Sequence, residues 1–125
     1  HNNMGCFNSI YKYTTRLLDE EEQFIVEVKH SGNQLIDEFY IKNKDGRHDY
    51  NNKKHMTFYL GKSKTILDIK KKLMKNIKHL NDLDFNLRTA VFGKVKADTY
   101  PLMRATDKEN PDNNVINLFI QIPNW

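Results

Sequence analysis

Apolar and polar residues recur along this chain with two different periods, and the change of period marks its elements. Phe24-Ile25-Val26-Glu27-Val28 is β-branched and half-alternating, which predicts a strand. Ser31-Gly32-Asn33 is a turn signal. The apolar stretch Leu35 to Ile41 then predicts the returning arm of a hairpin. Residues 42 to 54 are polar and contain Asp45-Gly46, so they read as an exposed loop with a turn. Met56-Thr57-Phe58-Tyr59-Leu60 alternates cleanly. Met56, Phe58 and Leu60 are expected toward the core, with Thr57 and Tyr59 outward.

After Gly61 and Ser63 the period becomes helical. Ile66, Ile69, Leu73, Ile77 and Leu80 follow in steps of three and four and share one helical face. Thr65 with Asp68 three residues on is a capping-box arrangement, and an early carboxylate suits the helix dipole. Lys70, Lys71, Lys72, Lys75 and Lys78 are expected mostly on the other faces, with Asn81-Asp82 as the end. Phe85 to Arg104 predicts a strand, a turn at Ala97-Asp98-Thr99 and a second short extended segment. Residues 105 to 114 hold Asn110-Pro111 and predict a loop. In Val115 to Ile122, the residues Ile116, Leu118, Ile120 and Ile122 alternate with Asn117, Phe119 and Gln121. Pro123 stops that strand, because proline has no N–H for a ladder.

A lone amphipathic helix must bury one face, and a sheet is the large apolar surface on offer. The expected fold is therefore α+β, a ubiquitin-like β-grasp. Its mixed sheet has four or five strands, with one main helix (about residues 65–80) across it. Residues 1–22, which include the acidic run Asp19-Glu20-Glu21-Glu22, read as an N-terminal extension. Residues 23–125 read as one domain.

The 125 residues carry a formal charge of +4. Lysine supplies 16 of the 20 cations, whereas arginine is the usual residue for bidentate phosphate and base contacts. Charge alone therefore supports nucleic-acid binding weakly. A nucleic-acid-binding reading would rest on Lys62 to Lys78 joined by Lys94 and Lys96 into one basic surface; the plainer reading is a solvated helix face. No apolar run is long enough to cross a bilayer or to form a signal-peptide core. The single Cys6 excludes an internal disulfide and an all-cysteine zinc site, which fits cytosol or nucleus.

The candidate chemistry is sparse. Gly61-Lys62-Ser63 echoes the end of a phosphate-binding loop, but Met56 stands where that loop needs its first glycine. His1, His30, His48, His55 and His79 form no paired-ligand pattern, so no metal is expected. His48 beside Asp49 offers an acid/base pair only in a solvated loop. Cys6 has no histidine fixed near it, and no nucleophile elbow is present. The expectation is no enzymatic activity and no cofactor. Met4-Gly5-Cys6-Phe7-Asn8-Ser9 matches the N-myristoylation pattern if Met4 initiates, with Cys6 open to a second acyl chain. On that alternative the chain is a membrane-associated adaptor anchored through Gly5. A covalent ubiquitin-like modifier needs a terminal Gly-Gly, and no two glycines here are adjacent.

From Met56 onward the chain resembles the small Sin3-associated polypeptide family, the eighteen-kilodalton subunit of the Sin3 histone deacetylase complex. KTILDIKKKL resembles that family's T-L-x-E-L helix. FNLRTAVFGKVKADTY resembles its strand and turn, with Val91-Phe92, Val95-Lys96 and Tyr100 in register. NVINLFIQIPN resembles its last strand. Upstream, Phe24 to Val28 resembles its first strand, and Ile36-Asp37-Glu38-Phe39 the D-E-F that follows. A second register instead matches Asp45-Gly46-Arg47-His48 to the family's G-R-H turn. Residues 105 to 114 are shorter than the family's Gly/Ser-rich loop, and the N-terminal extension does not match.

The resemblance implies a ubiquitin-like fold without enzymatic activity. It implies a nuclear adaptor in Sin3 corepressor assemblies, acting in transcriptional repression. It also implies a place, with Acinus and the RNA-binding serine-rich protein, in the apoptosis- and splicing-associated complex linked to the exon junction complex. The expected partner-binding residues are Phe92, Lys94, Lys96, Asp98 and Tyr100, on the strand and turn that most resemble the family. The expected mode is docking of a partner peptide in a groove or on an unpaired sheet edge. Tyr100→Ala is expected to abolish partner binding with little loss of fold.

Overall fold

The β-branched segments pair into a mixed sheet, and the segment of helical period lies across it. The computed structural model describes residues 22–30, 36–78, 80, 85–90, 93–106 and 113–123. Its elements are β1 (Gln23–His30), β2 (Tyr40–Lys42), β3 (His48–Lys53), β4 (Met56–Gly61), α1 (Ile66–Asn76), β5 (Asn86–Arg88) and β6 (Val115–Gln121). The main sheet has the order β4-β1-β6-β5. Its central strands β1 and β6 run parallel, and each flanking strand is antiparallel to its neighbour. The chain passes from one edge strand, β4, to the other, β5, through α1. The helix therefore crosses one sheet face, the arrangement of an α+β ubiquitin-like β-grasp.

Period-2 alternation places Phe24, Val26 and Val28 of β1 on the helix side, with Ile116, Leu118 and Ile120 of β6, Leu60 of β4 and Leu87 of β5. Ile66, Ile69, Leu73 and Ile77 face them, and none of these side chains is more than 4% exposed. Met56 and Phe58 are half-buried against this core, while Tyr59 is 60% exposed. The expected alternation of β4 holds.

The start of α1 follows the capping expectation. The Asp68 carboxylate accepts the Thr65 backbone N–H at 2.8 Å and the Thr65 hydroxyl at 3.2 Å. Two further first-turn donors find partners from elsewhere in the chain: Ile66 N–H donates to Tyr100 O and Leu67 N–H to Asp98 O, each at 3.0 Å. The helix ends at Asn76, earlier than its apolar spacing suggests. Ile77 is already extended, with φ −119°. Ile77 and Leu80 stay buried all the same, so the apolar spacing outlasts the helix.

The segment before β4 departs from expectation. Within the predicted arm Leu35 to Ile41, the described residues Ile36 to Ile41 do not return along β1, whose antiparallel partner is β4. Ile36, Phe39 and Tyr40 are all buried, and a short 3-10 turn over Asp37–Phe39 brings them to one side. Strand geometry would put Ile36 and Phe39 on opposite faces. Residues 42 to 54 form no open loop: β2 and β3 make a separate two-stranded sheet. Its turn places Gly46 at φ +85°, and Asn43 and Asp45 side chains both accept the Arg47 N–H at 3.1 Å.

The strand predicted at the start of the Phe85 to Arg104 stretch is also shorter than expected. Its ladder covers Asn86–Arg88, with one further bridge from Arg88 to Val95. The turn at Ala97-Asp98-Thr99 is present, closed by Tyr100 N–H to Ala97 O at 3.0 Å. A 3-10 turn over Leu102–Ala105 follows. The strand Val115–Gln121 matches expectation. Phe92, Cys6, His79, the Met4 to Ser9 motif, the Ser31-Gly32-Asn33 turn, Asn81-Asp82 and Asn110-Pro111 lie outside the described residues.

Candidate functional site

The expected binding residues divide once they are placed. Lys94 is exposed. Lys96 is half-buried, with its Nζ 4.7 Å from the centre of the Tyr100 ring. Tyr100 packs against the core and donates its hydroxyl to Arg104 O at 3.1 Å. Asp98 Oδ1 accepts from Lys70 Nζ at 2.8 Å. Lys70 is only 7% exposed, and its ammonium also lies 5.7 Å from the centre of the Phe85 ring. The turn thus holds the helix in two ways, by its carbonyls at Asp98 and Tyr100 and by the Asp98 carboxylate. Asp98 is therefore tied into the fold through the buried Lys70. Tyr100 is half-structural, so loss of its whole ring perturbs the fold as well as any contact.

The edge of the sheet offers a different site. Lys62 N–H donates to Glu22 O at 3.0 Å, while Ile25 turns its N–H away from β4, to Asn114 O at 2.8 Å. Hydrogen-bonded and non-bonded pairs alternate in an antiparallel ladder. Phe24–Leu60, Val26–Phe58 and Val28–Met56 are therefore the bonded pairs, and Ile25–Tyr59 and Glu27–Thr57 are not. The backbone N–H and C=O of Thr57 and Tyr59 point outward, without partners among the described residues. Beside this edge runs a groove of about 790 Å³. Met56 and Phe58 supply apolar surface to it, Asn76 marks the end of α1, and Ile41 and His48 belong to the β2–β3 hairpin.

The hairpin wall is braced from within. Tyr50 donates its hydroxyl to Asp37 Oδ1 at 2.6 Å, and that hydrogen bond to a carboxylate raises the phenol's pKa. His48 Nδ1 lies 3.9 Å from Asp37 Oδ2, so its acidic neighbour is Asp37. Asp49 accepts instead from Asn51 N–H and the Asn52 amide. Among the described residues no three His, Cys, Asp or Glu side chains come together to hold a metal ion. Gly61-Lys62-Ser63 forms the strand end and a turn, and Lys62 is paired with Glu22.

Two features escaped the pattern reading. Lys70 stands four residues after Ile66, inside the buried stripe Ile66, Ile69, Leu73, and that spacing is the signal that marks it. The open edge at Thr57 and Tyr59 has no such signal, since strand order decides which strand is left unpaired. No described helix is long and apolar enough to cross a membrane.

Compared with models of known protein families, the sequence matches none, and no curated protein matches it.

Proposed function

We propose that this chain is a non-enzymatic protein–protein adaptor that receives an extended partner segment along the open edge of β4. The observation that carries the reading is the outward-facing backbone of Thr57 and Tyr59 beside the groove. An added strand would satisfy those donors and acceptors, and its alternate side chains would fall toward Met56, Phe58 and the hairpin wall. The resemblance to the Sin3-associated polypeptide family supports a nuclear assembly. Its partners are then a Sin3-type corepressor, or Acinus-like and RNA-binding serine-rich splicing proteins.

Proline substitution tests the edge directly. Thr57→Pro removes one outward N–H and leaves the β1 ladder intact, since proline is tolerated on edge strands. The expected result is loss of these partners from affinity purification out of nuclear extract, read by mass spectrometry, with a wild-type circular-dichroism spectrum. Undiminished recovery of the same partners by a folded Thr57→Pro protein overturns the edge as the docking site. Recovery of membrane components in their place overturns the nuclear assignment.

A further inference from the structure

A second recess, of about 470 Å³, lies away from the β4 edge, where the turn after Leu102 meets the outer sheet face. Thr89, Lys96, Tyr100, Arg104, Thr106 and Asn117 supply its polar lining. No described carboxylate lines it, although acidic residues are nearly as numerous as basic ones in this chain. Lys96 and Arg104 have no ion-pair partner among the described residues. The walls are already ordered: Lys96 rests on the Tyr100 ring, the Tyr100 hydroxyl is donated to Arg104 O, and the Thr106 hydroxyl to Met103 O at 2.9 Å. That leaves an ammonium, a guanidinium, the Thr89 hydroxyl and the Asn117 amide as donors for a guest.

We propose that this recess binds the phosphate of a phosphorylated serine or threonine side chain in a partner protein. Its volume, within the roughly 300–1,000 Å³ usual for small-molecule sites, has room for a phosphate together with the side chain that carries it. Two charge-assisted donors suit a compact dianion, and a guanidinium can meet two of its oxygens at once. A nucleic-acid backbone is the weaker fit, because it needs a track of cations rather than a recess with two. The Tyr100 ring, with Lys96 over one face, is also poorly placed to stack a base. Glu27 is the ladder partner of Asn117 on this face and lies outside the lining. The proposal is independent of strand addition at β4.

The test is an NMR titration of the full chain with a neutral peptide carrying one phosphoserine, beside the same peptide unphosphorylated and a single-stranded RNA oligonucleotide. The phosphopeptide is expected to move the amides of Lys96, Arg104 and Asn117, and the unphosphorylated peptide to leave them unmoved. Arg104 and Asn117 are exposed, so their substitution spares the core. Arg104→Gln is expected to weaken phosphopeptide binding about tenfold. Asn117→Asp, which puts a carboxylate in the lining, is expected to abolish it. Equal response to both peptides, binding unchanged in both variants, or tighter binding of RNA through the same amides overturns the proposal.

Discussion

His30 ends β1 inside the core, 7% exposed, and neither ring nitrogen has a hydrogen-bond partner among the described residues. Phe39 and Tyr40 pack against it, with ring centres at 5.5 and 6.1 Å. Burial first, and the nearby Lys53 charge second, lower its pKa from 6.5 to about 4. The folded imidazole thus stays neutral while the unfolded one takes up a proton below pH 6.5. Stability is full above that pH and falls as the pH drops toward 4, by about 2 kcal/mol at pH 5. His30→Phe should remove that dependence, which urea denaturation at pH 7 and pH 5 measures directly. Lys70 and Asp98 make the complementary case. Asp98→Ala leaves a buried ammonium uncompensated and should cost about 2 kcal/mol, below the fully buried limit because Asp98 is partly solvated. Lys70→Met combined with Asp98→Asn should recover most of that loss in thermal melts. At this scale the sequence marks Lys70 by its place in the apolar stripe. It says nothing of Asp98 as its partner, 28 residues away.

At the scale of the element, α1 is the most legible part of the chain. Its cap, its buried face and its basic last turn at Lys75 all follow from local spacing. Asp68→Asn should destabilise the protein by about 1 kcal/mol, because the amide replaces the charged acceptor at the Thr65 N–H. The Thr65 N–H also holds the Asp68 carboxyl below its ordinary pKa, so this contribution is present at neutral pH and lost on acidification. Chemical denaturation of the variant at pH 7 and pH 3 separates the two effects. The helix end and the β2–β3 hairpin are less legible. Ile77 and Leu80 keep the apolar rhythm of a helix after the backbone has left it, because the same core buries them either way. The polar residues of β3 carry little strand signal, and their pairing rests on the Asp45-Gly46 turn and on Tyr50 stacking edge-on to Tyr40 at 5.0 Å.

For the whole molecule, strand order decides which surfaces are available. β1 and β6 are enclosed on both sides, β5 is covered by the Lys96 N–H bonding to Leu87 O at 2.9 Å, and β4 is left open among the described residues. The open edge predicts a contrast between adjacent positions. Phe58→Pro breaks a bonded pair with Val26 and should unfold the protein in a thermal melt, whereas Thr57→Pro should leave the melt nearly unchanged. Local periodicity and turn chemistry determined the α+β class, the helix with its cap, strand β1, the core face of β4, the alternation of β6, and the turn at Ala97-Asp98-Thr99. Those features depend on neighbours a few residues apart, and a sequence records such neighbours directly. Tertiary structure alone decided that β4 pairs with β1, that the Lys96–Tyr100 turn clamps the start of α1, and that Lys96 and Arg104 share one recess. Each of these joins residues whose nearness comes from burying the common apolar face of helix and sheet, a constraint that acts on the whole chain at once.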